Sequence, residues 1–245
     1  MWHDVVDLRD FYASDLGQVA RRTLLSALRR LWPSTAGQRM LGFGYAVPYL
    51  RPFREEAAVA VAAMPAQQGV LPWPEDGPSV TCLGEETALP FPDLFFDRVL
   101  VVHGLEHSDH ARPLLRELWR VTAGEGRVLF VVPGRRGVWT RSDRTPFGWG
   151  RPYSLDQLQR LLREQLFTPT RWDRALYLPP SERRWLLRSA GLFERFGHRL
   201  LYRAGGVHLI EAQKQLFAPP GLGRPVGERI RARATAARPL LQRDG

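Results

Sequence analysis

Residues 83–133 read LGEETALPFPDLFFDRVLVVHGLEHSDHARPLLRELWRVTAGEGRVLFVVP, and this stretch decides the fold. The segment Phe96-Asp97-Arg98-Val99-Leu100-Val101-Val102 is a nearly continuous apolar, β-branched run entered by an acidic turn. Such a run is expected of a parallel strand covered on both faces. From Asp109 to Thr122 the apolar residues Leu114, Leu115, Leu118 and Val121 recur at helical spacing among charged positions. Gly124 and Gly126 then predict a break before a second strand, Arg127 to Val132. Strand, helix and strand in that order make a βαβ unit of an α/β protein.

The same stretch carries an acidic residue, Glu85, a Leu89-Pro90-Phe91 turn, and a strand start at Phe96-Asp97. Leu105-Glu106-His107 follows the strand, and Glu117-Leu118-Trp119-Arg120-Val121 ends the helix. In order and spacing this resembles the class I S-adenosylmethionine-dependent methyltransferases of the type 11 branch. The resemblance implies a Rossmann-like, seven-stranded, mostly parallel sheet with helices on both faces and a reversed last strand. It also implies S-adenosylmethionine as cofactor, and it is strongest over residues 83–133.

Arg39 to Ala46 stands where the family has its first strand and glycine-rich turn. Gly42 and Gly44, with Tyr45 beside them, would let the backbone approach a ligand at a helix N-terminus. The family's acid two residues before the first glycine is replaced by Met40, and its third glycine by Ala46. The second strand, Ala57 to Met64, ends in Ala62-Ala63-Met64, where the family has an acid for the ribose hydroxyls. A hydrogen bond to a charged acceptor is worth roughly 1.5–3 kcal/mol, so this loss alone weakens cofactor binding about ten- to a hundred-fold unless replaced. Gln67 and Gln68 offer neutral replacements. Glu85, with Glu86 next to it, follows a third strand (Ser79 to Leu83) and stands where the family meets the adenine end of the cofactor. The competing reading makes both glutamates a solvated turn.

His103, Gly104 and Leu105 follow the fourth strand at its C-terminal edge, the side on which open α/β sheets bind ligands. His103-Gly104-Leu105-Glu106-His107 also matches the H-x-x-E-H pattern of a zinc peptidase family, with His110 nearby. That reading is set aside. A metallopeptidase needs both histidines on one helical face, whereas His103 ends a strand and precedes glycine. No metal ligands are therefore assigned, and His107 and His110 read as loop residues at the start of the next helix.

The chain has 245 residues, hydrophobic content of 44% and one cysteine, Cys82. It is long enough to bury a full core, and Cys82 reads as a packed thiol. No stretch approaches the ~18 apolar residues of a membrane span, and Met1-Trp2-His3-Asp4 lacks the basic start of a secretory signal. A cytoplasmic protein is expected. The net charge of +10 invites a nucleic-acid reading, but among 35 Lys plus Arg only Lys214 is lysine, which suggests coding bias as much as a binding surface. The segment 218–245 carries Arg224, Arg229, Arg231, Arg233, Arg238 and Arg243 against Glu228 and Asp244. It reads as a mobile basic tail after a single domain over 1–217. It could bind phosphate, but no aromatic residue after Phe217 offers a base a stacking surface.

Phe11 to Trp32 reads as one amphipathic helix that caps the cofactor, ended by Pro33. Residues 135–151, rich in glycine and arginine with Trp139, Phe147 and Trp149, suggest a lid on the substrate side. Ser154 caps a helix over Leu155 to Leu166. A strand (Pro169 to Leu176), a helix beginning in Pro180 to Ala190 and a final strand (Val207 to Phe217) complete the pattern.

Two functions follow. The first is a methyltransferase acting on an unidentified, small-molecule acceptor, with His103, Glu106 and Tyr153 as candidates for holding or deprotonating it. The second is a catalytically inactive protein of that fold serving as a binding or regulatory partner of another protein, which the departures at Met40, Ala46 and Ala62 favour. An RNA methyltransferase using the basic tail is a third reading. It lacks the Asn-Pro-Pro-Tyr-like motif of base-amine methylation and the cysteine pair of cytosine-5 chemistry.

Overall fold

The computed structural model describes residues 2–74, 76–200 and 204–216. The strands are β1 (Arg39–Gly44), β2 (Val59–Pro65), β3 (Thr81–Gly84), β4 (Phe96–Val102), β5 (Thr122–Pro133), β6 (Phe167–Ala175) and β7 (Val207–Lys214). They form one seven-stranded sheet in the order β3-β2-β1-β4-β5-β7-β6. The pairs among β1 to β5 are parallel, and β7 runs antiparallel to both β5 and β6. The architecture is the one the resemblance implies.

Side chains alternate between two cores. Leu100 and Val102 of β4 face one apolar cluster, with Met40, Leu129 and Leu209. Val99 and Val101 face the other, with Leu41, Val128 and Ile210. Burial on both faces explains why β4 reads as an unbroken hydrophobic run. The first cluster is covered by α1 (Val5–Ala13), α2 (Asp15–Leu31) and α3 (Val47–Arg54). The second is covered by α4 (Ala111–Val121) and α6 (Leu155–Glu164).

The family-like motifs are clamps. Asp97 accepts the backbone N–H of Arg39 at 2.9 Å and its guanidinium at 3.0 and 3.1 Å, fixing the start of β4 beside the start of β1. The Leu89-Pro90-Phe91 turn is held by α4. Glu117 accepts the Leu89 N–H at 3.0 Å, while Arg120 donates to Leu89 O at 2.9 Å and Phe91 O at 2.8 Å. Arg120 also pairs with Asp93 and Glu117, and these carboxylates raise its pKa against the smaller opposing effect of burial.

The expected N-terminal helix and the expected glycine break are both corrected. The N-terminal segment is two helices, because Ser14 adopts an extended conformation and its hydroxyl accepts the Gly17 N–H at 3.1 Å, starting α2 anew. A Cβ at Gly17 would meet Phe11 O, so the tight corner needs glycine. Gly124 and Gly126 do not end an element. The strand continues through them, with a register shift between the Phe96–Thr122 and Arg98–Arg127 pairs. A Cβ on Gly126 would lie 2.6 Å from Thr122 Cγ2, so glycine permits a bulge inside the strand.

Ser154 does cap α6, accepting the Gln157 N–H at 3.2 Å. Beyond β6, the expected single helix is α7 (Arg184–Arg188) and α8 (Ala190–Leu200). Between β5 and α6 lie a short 3-10 turn and α5 (Pro146–Trp149). Trp139 and Phe147 of this segment are fully buried, so it is anchored rather than open. The basic segment 218–245 lies outside the described residues. No helix among the described residues is long and apolar enough to cross a membrane.

Candidate active site

The chain moves outward from β1 to β2 and β3, then returns to β4 on the other side of β1. The crevice beyond the C-terminal ends of β1 and β4 is therefore the switch point where such sheets take ligands. Gly42, Gly44 and Tyr45 stand on its β1 side, and His103, Gly104 and Leu105 on its β4 side, all buried.

The two glycines serve packing. A Cβ on Gly42 would lie 2.4 Å from Leu50 Cδ1 of α3, and one on Gly44 would lie 2.4 Å from Val102 O. Gly44 also has φ +77°, a left-handed conformation that costs a side chain energy. Thus the glycines let α3 and β4 close on β1.

The crevice is covered by α1, not by the longer α2 as the sequence suggests. Val5 donates its N–H to Gln68 O at 2.8 Å, and Val5, Leu8 and Tyr12 enter the core with Tyr45 and Tyr49. The Tyr12 hydroxyl accepts from Tyr49 at 2.8 Å and lies 2.8 Å from His103 Nε2. Burial, followed by the neighbouring Tyr49, drives the Tyr12 phenol well above its ordinary range. His103 itself has φ 49°, unusual for a non-glycine residue.

His103, Glu106 and His107 are brought together. A tight turn after β4, with the N–H groups of His107 and Ser108 directed to Gly104 O, folds the three side chains onto one another. All three are buried, and ligating atoms, one from each, lie within 4.8 Å of one another. Glu106 Oε1 is 3.3 Å from His103 Nδ1, off hydrogen-bonding alignment, and neither carboxylate oxygen accepts a hydrogen bond. Burial raises the Glu106 carboxyl, but the adjoining imidazoles more than offset it and hold it below its ordinary value. Burial takes the His107 imidazole down to about 4 against the opposing pull of Glu106. His107 packs against the rings of Trp2 and His3, whereas His110 is exposed and starts α4 without a side-chain cap. Tyr153 lies at the end of β5, its N–H donating to Pro133 O at 3.0 Å, and burial raises its phenol pKa.

The carboxylates after β3 part company. Glu85 is exposed, while Glu86 is 5% exposed and its Oε2 has no hydrogen-bond partner. After β2, Gln68 is equally buried. Its Nε2 donates to His103 O at 3.2 Å and its Oε1 is unpartnered. In the sequence Gln68 is only a neutral substitute for the missing acid, and its burial with an orphaned acceptor is what distinguishes it.

On the outer side of α1, a cavity of about 860 Å³ is bordered by Asp7, Asp10, Phe11, Arg144, Trp149 and Glu182, among others. A cavity of about 840 Å³ between α2 and the α7–α8 pair lies away from the strand ends.

Residues 42–130 match the family described as Methyltransferase domain. The fold is that of the class I S-adenosylmethionine-dependent methyltransferases, a class whose cofactor is S-adenosylmethionine. No curated protein sequence matches the chain. Among solved structures, a methyltransferase from Thermotoga maritima is 16% identical, with a TM-score of 0.59 over 86% of this chain and 96% of its own. A Haloferax volcanii methyltransferase, solved with a methyltransferase activator, gives 16% identity and a TM-score of 0.56 over 85% and 96%. The Burkholderia thailandensis 1,6-didemethyltoxoflavin-N1-methyltransferase, with 1,6-didemethyltoxoflavin and S-adenosylhomocysteine bound, gives 18% and 0.53 over 85% and 83%.

The donor set suits this cofactor at its adenosine end. Ribose hydroxyls and an adenine amine need acceptors, and Gln68 Oε1 and Glu86 Oε2 are buried, unused acceptors following adjacent parallel strands. Tyr12 lies in the crevice between β1 and β4, in contact with Tyr49 and His103.

Proposed function

We propose that the protein transfers a methyl group from S-adenosylmethionine to a small-molecule acceptor. Gln68 and Glu86 hold the adenosine end, and α1 is the element that yields to admit the cofactor. The observation that carries this reading is the pair of unused acceptors, Gln68 Oε1 and Glu86 Oε2, at the ends of β2 and β3 beside the switch point. An unsatisfied buried polar atom costs about 1–3 kcal/mol, which a ligand's donors relieve. Gln68 thus takes the place of the ribose-binding acid that the second strand lacks.

The acceptor would enter the cavity of about 860 Å³ on the outer side of α1. Phe11 and Trp149 offer it apolar walls, and Asp7, Asp10 and Glu182 offer acceptors for hydroxyl or amine groups. When bound, the cofactor supplies an electrophilic methyl group. The chain's contribution is alignment and exclusion of water, which needs no dedicated base unless the nucleophile must lose a proton.

Calorimetric titration of the full chain with S-adenosylmethionine and S-adenosylhomocysteine tests this. Dissociation constants in roughly the micromolar range support it. A folded protein giving no heat up to about a millimolar ligand overturns it and leaves a binding module without cofactor use.

A further inference from the structure

We infer that His103, Glu106 and His107 form a binding site for one divalent first-row transition metal ion. The inference does not depend on methyl transfer, since it rests on the turn after β4 and the residues packed against it, Tyr12 and Gly150.

Glu106 is 1% exposed, and its two oxygens, at 3.3 Å and beyond from the nearest imidazole nitrogen, accept no hydrogen bond. Among the described residues no arginine or lysine pairs with it. A buried carboxylate in such surroundings is costly unless a cation compensates it. The fold makes room for it deliberately. A Cβ on Gly150 would lie 2.6 Å from Glu106 Cγ, and the Arg151 N–H donates to Glu106 O at 2.8 Å.

The orientation of His103 fits a ligand as well. Its Nε2 is engaged with the Tyr12 hydroxyl at 2.8 Å, which leaves Nδ1 facing Glu106. Ligating imidazoles commonly have their second nitrogen fixed by such a partner. The one atom that each residue offers lies within 4.8 Å of the others. Bonds of about 2.0–2.2 Å to a common ion would draw these atoms together by roughly an ångström, a side-chain adjustment. Two imidazoles and one carboxylate select zinc, cobalt or iron(II) over magnesium or calcium, and leave a position for water or another ligand.

The H-x-x-E-H spacing therefore serves a metal without a peptidase helix. The turn at Gly104 does what one helical face would otherwise do.

The test is titration of chelator-stripped full chain with cobalt(II), read by visible absorption, and with zinc(II), read by calorimetry. One equivalent should bind, with a cobalt spectrum of low-coordinate nitrogen and oxygen ligation. Glu106→Gln and His107→Gln should each weaken binding at least tenfold, and His110→Gln should leave it unchanged. If Glu106→Gln fails to fold, Glu106→Asp, which keeps the charge but withdraws it, must show the weakening. Absence of binding by the folded wild type at about 100 μM metal overturns the inference, as does equal binding by all variants. S-adenosylhomocysteine titration of the same samples reads the methyltransferase proposal separately, so either can fail alone.

Discussion

The Tyr12 hydroxyl of α1 lies 2.8 Å from Nε2 of His103, the residue that follows the last residue of β4. Through this pair the first helix is fastened across the switch point of the sheet, and Tyr49 extends the link at 2.8 Å to α3. The contact occupies the crevice that a ligand of this fold class would enter.

Tyr12→Phe removes the shared hydroxyl and leaves buried Tyr49 and His103 with one partner fewer each. The expected loss of stability is about 1–3 kcal/mol by urea denaturation, with the ring packing retained. A loss near zero would mean that water or a rearrangement satisfies both groups.

Arg120 ties α4 to the turn before β4 through Leu89 O, Phe91 O, Asp93 and Glu117. Arg120→Ala should destabilise the protein by roughly 1–2 kcal/mol, because it strands partly buried carbonyls as well as the Glu117 carboxylate. Arg120→Lys should recover only part, since an ammonium cannot span these acceptors as a planar fork does. Equal melting temperatures for wild type and Arg120→Lys would refute the clamp.

His208 is 6% exposed, and burial, aided by the charge of Arg174, lowers its imidazole to about 4. Its unfolded value is about 6.5, so between these values the unfolded chain binds a proton that the native state refuses. Stability from this group is present above pH ~6.5 and falls as pH drops toward ~4, by at most about 1.4 kcal/mol per pH unit. His208→Gln should flatten that part of the stability curve measured by denaturant titration. An unchanged slope would contradict the assignment.

Gly44→Ala should destabilise the fold by about 1–3 kcal/mol irrespective of ligand, because φ is +77° and the added carbon meets Val102 O and His103 O. A variant as stable as wild type would show that β1 and β4 approach less closely than described.

Much of this was legible beforehand, and the reasons are local. The βαβ unit around β4 could be read because period and composition change sharply there. Asp97, Leu89 to Phe91, Glu117 and Arg120 were recognisable as a set, although only the structure shows that they are mutual clamps. The break at Ser14 was hidden, since apolar spacing runs on across it and one serine cap decides it. Glu85 and Glu86 are adjacent and chemically identical in sequence, and only the chain's turn after β3 buries one and exposes the other. The clustering of His103, Glu106 and His107 likewise depends on a turn whose geometry no periodicity reports.

The central claim is that Gln68 and Glu86 receive the adenosine of S-adenosylmethionine once α1 gives way. The most direct measurement is a structure of the full chain crystallised with S-adenosylhomocysteine. The ribose and adenine should lie within hydrogen-bonding distance of Gln68 Oε1 and Glu86, with Tyr12 displaced from His103. Adenosine bound elsewhere, or bound with the Tyr12–His103 contact intact and Gln68 and Glu86 still unpartnered, would contradict it.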